Sequence, residues 1–237
     1  MADPELDPTA GSATHISTPQ GRTTTSCAPA ASPPVRLRPW TATDLPVYRE
    51  WLRPHHDWHR WDGPYFDRPT EGEADAMVAR LEEAVAGRGG IVGAEAGLPP
   101  AQLVVADRED DSFCGVVSWY WESRETEWAR MGIVLHDPRL RGRGMGASAL
   151  EQWTTLLFAA TTWRRLDLAT WSGNSAMCGV AESLGLTREA TFRRARVVAG
   201  EVYDSVVYGV LREEWAVRPE NSVTAPPVGT WSPDAPK

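Results

Sequence analysis

A short glycine-rich run, Arg141-Gly142-Arg143-Gly144-Met145-Gly146, restricts the fold of this chain more than any other stretch. It follows an apolar strand candidate, Glu127 to Leu135. It precedes Ala149, Leu150, Trp153, Leu156, Leu157 and Ala160, which recur at helical spacing. Arg165 to Thr170 then alternates as a strand. Strand, helix and strand in that order imply a crossover and a parallel strand pair. A glycine-rich turn entering a helix also leaves backbone N–H groups unopposed at the positive end of the helix dipole. Without side chains there, a diphosphate can approach closely. The run is therefore a candidate phosphate cradle, the plain alternative being a tight turn that binds nothing.

The remaining elements set the fold around it. Val35 to Arg38 forms a short strand stopped by Pro39, and Thr43 can cap a helix beginning near Asp44. A second helix fits Thr70 to Ala86, with Met77, Val78, Leu81 and Val85 on one face. Between the two lies a loop, His55 to Phe66, holding three histidines and the aromatics Trp58, Trp61, Tyr65 and Phe66. Leu103 to Ala106, Phe113 to Glu122 and Glu127 to Leu135 read as an antiparallel meander, its last turn being Ser123 to Thr126. Asn174 or Ser175 caps a helix carrying Met177, Val180, Ala181 and Leu184, with Gly185 as its stop. Phe192 to Val198 and Val202 to Leu211 form a closing hairpin around Ala199-Gly200. Residues 1–34, rich in Ala, Thr, Ser, Pro and Gly, read as a disordered leader, and residues 218–237 as a disordered tail. The folded domain is expected over residues 35–217.

Charge and cysteine usage remove several function classes. With 24 Lys+Arg against 32 Asp+Glu, net −8, the chain lacks the positive field of a general nucleic-acid binder. No run approaches the roughly 18 apolar residues of a membrane span. Cys27, Cys114 and Cys178 form no CxxC pair, so a reducing cytoplasm is the expected setting. His55 and His59 stand one turn apart if helical, but no further ligand is implied, and no metal is expected. Gly142, Gly144 and Ala147 satisfy the GxGxx[G/A] pattern of dinucleotide folds, with Asp167 about 20 residues on. The preceding meander argues against that reading, and Asp167 begins its strand where the ribose-binding acid ends one. A nucleotide-triphosphate loop is excluded because no Gly-Lys-Ser/Thr follows.

Four ordered blocks then carry a family resemblance. Arg141-x-x-Gly144-x-Gly146 resembles the [Q/R]xxGx[G/A] coenzyme A signature of the GNAT N-acetyltransferase superfamily. Arg130 to Leu135 with Arg141 to Leu150, Asn174 to Leu186, and Gly200, Asp204, Tyr208 with Leu211 to Trp215 are similar to its ribosomal-protein-alanine branch. The resemblance spans residues 35–217. It implies an α/β (α+β) fold: a mixed, mostly antiparallel sheet of about six or seven strands, flanked by about four helices. A splayed parallel strand pair would lie at the cofactor site.

The same resemblance implies an acetyl-CoA-dependent N-acetyltransferase acting on a primary amine, either a protein N-terminus or a small amine, as a monomer or homodimer. Ile133, Val134 and Leu135 would pair with the pantetheine arm, and Arg141, Gly142, Arg143, Gly144, Met145 and Gly146 would hold the pyrophosphate. Asn174 would reach the pantetheine or thiol region, a plain helix cap being its alternative. Trp58, Trp61, Tyr65 and Phe66 would wall the acceptor pocket, or form a satellite core. Two positions depart from common family patterns: Arg130 stands where many members carry a carboxylate base, and Ala181 where many carry a tyrosine acid. Base candidates are then Glu122, Glu127, His136 and Asp204, with Glu122 and Asp204 preferred, acting through water. The departures also leave open a catalytically silent coenzyme A-binding module.

Overall fold

A computed structural model describes residues 33–93, 95 and 97–218. The expected leader and tail lie outside the described residues, apart from residues 33, 34 and 218. The meander consists of β2 (Gln102–Asp107), β3 (Phe113–Ser123) and β4 (Trp128–Leu135), each antiparallel to the one before. β1 (Val35–Arg38) adds antiparallel to β2 at the edge. From β4 the chain passes through α3 (Met145–Ala160) to β5 (Arg165–Trp171), which runs parallel to β4 as the crossover predicts. β7 (Glu201–Leu211) lies antiparallel to β5, and β6 (Thr187–Val198) pairs outside it. The order β1-β2-β3-β4-β5-β7-β6 makes one mixed seven-stranded sheet. Its single parallel pair rules out the doubly wound parallel sheet of a dinucleotide fold.

Alternation along the central strands divides the core into two layers. Val117, Trp119 and Met131 face Ala149, Leu150, Trp153 and Leu157 of α3. The opposite face carries Val104, Val116 and Val134 beneath α1 (Asp44–Trp51) and α2 (Glu71–Arg88). Each fully buried large side chain in these layers contributes about 1.5–3 kcal/mol. α4 (Ser175–Ser183) packs on the α3 side through Ala181, and a short α5 (Arg212–Ala216) closes that layer with Trp215.

Local chemistry sets the element ends. Thr70 begins α2 through a capping box: its hydroxyl accepts the Glu73 N–H at 3.3 Å, and the Glu73 carboxylate accepts the Thr70 N–H at 2.8 Å. Thr43 makes no side-chain cap on α1. Asp44 acts in its place, accepting the Thr41 N–H at 2.8 Å and both terminal Arg38 nitrogens at 2.7 and 2.8 Å. That fork ties the start of α1 to β1. β6 begins five residues before the predicted Phe192, because Thr187–Thr191 lies in an exposed edge strand with no buried face to impose alternation.

Candidate active site

The two parallel strands are joined by only three residue pairs: Trp128–Arg165, Ala129–Leu166 and Arg130–Asp167. Beyond that rung β4 continues to Leu135 along β3, while β5 continues to Trp171 along β7. The strands therefore part, and each presents an unpaired edge to the gap between them. Gly132, Ile133, Val134 and Leu135 are only partly buried along it. A buried ion pair marks the last rung. Asp167 is fully buried and accepts Arg130 Nε at 2.7 Å, Arg130 Nη2 at 3.1 Å and Trp128 Nε1 at 2.7 Å. Glu122 takes the remaining Arg130 nitrogen at 2.8 Å. Asp167, weighed in sequence as a ribose-binding acid, is thus spent inside the protein.

The glycine turn sits at the mouth of this gap. Gly142 (φ 72°) and Gly144 (φ 76°) take left-handed conformations that disfavour side chains. A Cβ at either would meet nothing within 4 Å, so the space beside them is open. Gly144 is the N-cap of α3, and no side chain caps it. Met145 anchors the helix start in the core, while a Cβ on Gly146 would lie 3.7 Å from Leu135 and 3.8 Å from Val180. Arg143 makes no ion pair among the described residues and is exposed. Arg141 instead reaches across to Asp57 at 2.6 Å, with its guanidinium 5.6 Å from the Trp61 ring centre. That hydrogen bond, with a second from Trp61 Nε1 at 3.2 Å, holds the Asp57 carboxyl below the usual carboxylate range.

Asn174 is the N-cap of α4, accepting the Met177 N–H at 3.1 Å. Its amide donates to the Trp61 carbonyl at 3.2 Å, which also accepts Trp171 Nε1 at 3.4 Å. Both ends of Asn174 are therefore engaged by protein: one fills the capping role, and the other fastens the aromatic loop to the β5–α4 corner.

Trp58, Trp61, Tyr65 and Phe66 all line one cavity of about 1460 Å³, bounded by that loop, the β3–β4 face and the β6–β7 hairpin. Trp58 is buried, donates from Nε1 to the Trp51 carbonyl at 2.6 Å, and stacks on His59 at 3.9 Å. Tyr65 carries the Arg196 guanidinium 4.3 Å from its ring centre, and Phe66 is 71% exposed. His136 forms part of the inner wall, ringed by Trp58, Phe113 and Tyr48 at 4.9, 5.3 and 5.6 Å. It is 2% exposed with Nδ1 unpartnered, and burial pushes its pKa down to about 3. The imidazole is therefore neutral and a weak base.

The two base candidates preferred from sequence are not brought together, and neither lines the cavity. Glu122 is ion-paired with Arg130. Asp204 accepts the Arg194 N–H at 2.8 Å, bracing a bulge in β6 where Arg194 has φ 57°. It lies on the opposite face of β7 from Tyr203, which does line the cavity. His55 and His59 do not converge either: His59 Nε2 lies 3.0 Å from the Arg53 carbonyl, and the donors that cluster, within 4.8 Å of one another, are Glu50, His55 and His56. Sequence reasoning missed Asp57, which meets Arg141. It lies in the aromatic loop already singled out, but its role depends on Arg141, 84 residues away in the turn before α3.

The profile of the acetyltransferase (GNAT) domain family matches residues 35–187, more than half the chain. Two curated Bacillus subtilis proteins are similar. "Putative ribosomal N-acetyltransferase YdaF" is 26% identical over 106 residues, 45% of this chain and 57% of that one. The SPbeta prophage-derived uncharacterized N-acetyltransferase YokL is 21% identical over 111 residues, 47% of this chain and 62% of that one. These alignments span less than two thirds of either relative's length. Among solved structures, the spermidine N-acetyltransferase from Vibrio cholerae in complex with CoA and spermine aligns over 77% of this chain and 98% of its own, at TM-score 0.59 and 14% identity. A GNAT-family acetyltransferase from Bacillus anthracis aligns over 76% and 96%, at TM-score 0.58 and 16% identity. At such identities the structures share the fold, and the profile match supplies the family. This chain belongs to the GNAT acetyltransferase family.

Proposed function

We propose that the protein transfers the acetyl group of acetyl-CoA to a primary amine, of a small molecule or a protein N-terminus, by direct attack of the amine. The observation that carries this reading is the gap opening after the Arg130–Asp167 rung, with an uncapped, glycine-started helix at its mouth. Ile133, Val134 and Leu135 offer free edge groups that a pantetheine amide can pair with as an added strand does. The open space at Gly142 and Gly144, and the first-turn N–H groups of Met145 and Gly146, suit a diphosphate, with Arg141 and Arg143 as cations. When bound, acetyl-CoA supplies an activated thioester.

The protein's own task is to orient the amine, remove its proton, and donate a hydrogen bond to the developing oxyanion. A backbone N–H near Val134 or Leu135 serves the last purpose. Trp58, Trp61, Tyr65 and Phe66 bound the acceptor cavity. Asn174 holds that wall to the cofactor side through Trp61. Glu122 and Asp204 remain sequence-derived candidates for proton removal through water, each already holding another partner. The two described cysteines are free, in keeping with a cytoplasmic setting, and among the described residues no helix is long and apolar enough to cross a membrane.

The test is release of free thiol from acetyl-CoA across an amine panel, run beside thermal stabilisation by acetyl-CoA. Turnover with stabilisation supports the proposal. Stabilisation without turnover points to the silent binding module that Arg130 and Ala181 leave open, and no stabilisation refutes the donor site.

A further inference from the structure

We propose that Asp62 binds the ammonium group of the acceptor and takes its proton, and that the acceptor is a primary aliphatic ammonium carrying an apolar substituent. This rests on the acetyl-transfer reading above. Asp62 lines the acceptor cavity, and its carboxylate has no hydrogen bond or ion pair among the described residues. Asp57, its neighbour in the loop, is spent on Arg141.

The peptide group joining Trp61 to Asp62 is held at both edges. Its carbonyl accepts Asn174 Nδ2 at 3.2 Å and Trp171 Nε1 at 3.4 Å, both from the β5–α4 corner that borders the gap. Its N–H donates to the Trp58 carbonyl at 3.2 Å. The Trp61 ring adds a stacked contact with Trp171 at 6.4 Å between centres. A carboxylate on so fixed a peptide is placed in advance of its substrate, which is what efficient proton transfer requires. Asp67, Glu73 and Glu201 also line the cavity, but Glu73 is engaged in the cap with Thr70, and neither Asp67 nor Glu201 sits on this anchored turn.

Of the arginines that line the cavity, Arg130 is committed to Asp167 and Glu122, Arg60 lies 3.6 Å from Asp57, Arg68 donates to the Pro54 carbonyl, Arg196 lies over Tyr65, and Arg80, like Asp62, borders Tyr48 without pairing with Asp62. His136 is neutral. None of these cations forms an ion pair with Asp62, so its carboxylate is open to an incoming ammonium. Trp58, Trp61 and Tyr65 line the same space, and although His59, Arg141 and Arg196 already lie against these rings, their remaining apolar area can bury an apolar substituent. In the step itself an N–H bond of the ammonium breaks and an O–H bond forms on Asp62. The nitrogen lone pair is freed for attack, and the proton passes to cleft water as the carboxylate regenerates. Asp62 is exposed to the cleft, and the protein massed around it shifts its pKa upward.

The experiment compares the full-length chain with Asp62→Asn and Asp62→Glu, using 2-phenylethylamine and aniline as acceptors near neutral pH. The first is an ammonium there and the second is already neutral. For Asp62→Asn, kcat/KM with 2-phenylethylamine is expected to fall by about 100-fold or more, and with aniline by less than about 3-fold. Calorimetric affinity for 2-phenylethylammonium, measured in the presence of CoA, should fall by about 10-fold or more. Asp62→Glu should recover part of both, and stabilisation by acetyl-CoA should be unchanged. Equal losses on both acceptors, or unchanged ammonium affinity, overturn the assignment. If the wild type turns over no amine yet binds the ammonium through Asp62, the ammonium site stands and the acetyl-transfer reading falls.

Discussion

Replacing Asp167 by Asn tests whether one ion pair fixes the point where β4 and β5 separate. The carboxylate is fully buried and receives two Arg130 nitrogens and the Trp128 indole, with the Arg165 guanidinium farther off at 3.7 Å. The amide keeps the shape but removes the charge and one acceptor, leaving Arg130, 15% exposed at its side chain, with Glu122 alone. Removing one partner of a buried pair costs about 3–5 kcal/mol. Glu122, one third exposed, offsets part of that, so the expected loss is about 3 kcal/mol. For a domain of this size that corresponds to a fall in Tm of about 6–12 °C. Glu122→Gln, by contrast, removes the more exposed partner and should cost about 0.5 kcal/mol. Urea unfolding followed by tryptophan fluorescence measures both variants. A loss below about 1 kcal/mol for Asp167→Asn, or equal losses for the two, refutes the claim that the buried partner sets the rung.

Gly144→Glu should abolish stabilisation by acetyl-CoA, since it puts a carboxylate at the α3 N-cap, while Gly144→Ala isolates the backbone cost of φ 76° at about 1–2 kcal/mol by thermal melt. His136 gives a pH signature. Its folded pKa, about 3, lies below the unfolded value near 6.5, so the unfolded chain binds the proton first as pH falls. Its contribution is complete above about pH 6.5 and is lost toward pH 3 at about 1.4 kcal/mol per pH unit. His136→Phe should flatten that slope in unfolding curves, and an unchanged slope counts against a buried neutral imidazole. Asp57→Asn releases Arg141 and should tighten acetyl-CoA about 5-fold by calorimetry, from roughly 1 kcal/mol of lost competition. Unchanged or weaker binding refutes that competition.

The parallel pair was legible in the sequence because a strand, glycine turn, helix and strand admit one handed arrangement. Asn174 before the α4 stripe was legible because capping is a matter of three or four adjacent residues, although the same reasoning misplaced a cap at Thr43 and passed over Thr70 with Glu73. The second half of edge strand β6 was legible from its hairpin with β7, but Thr187–Thr191 was not, since alternation appears only where one face is buried, and the short α5 left no periodic pattern. The donor half of the candidate site lies in one contiguous run and could be read directly. The acceptor half depends on Asp57 meeting Arg141 and on Asn174 meeting Trp61, pairs 84 and 113 positions apart. Arg130 stood out as a departure from the family pattern, but its partners Asp167 and Glu122 emerge only from the sheet register.

The contact between Arg141 and Asp57 has a kinetic consequence under the proposed reaction. One guanidinium cannot fully serve a loop carboxylate and a donor diphosphate together, so donor binding loosens the turn from Asp57 to Asp62 that forms the acceptor wall. Donor and acceptor affinities are then linked, and linkage is reciprocal: whatever an acceptor loses to an occupied donor site, the donor loses to a bound acceptor. Raising either substrate should then raise the apparent KM for the other in initial-rate measurements, and Asp57→Asn should remove that effect.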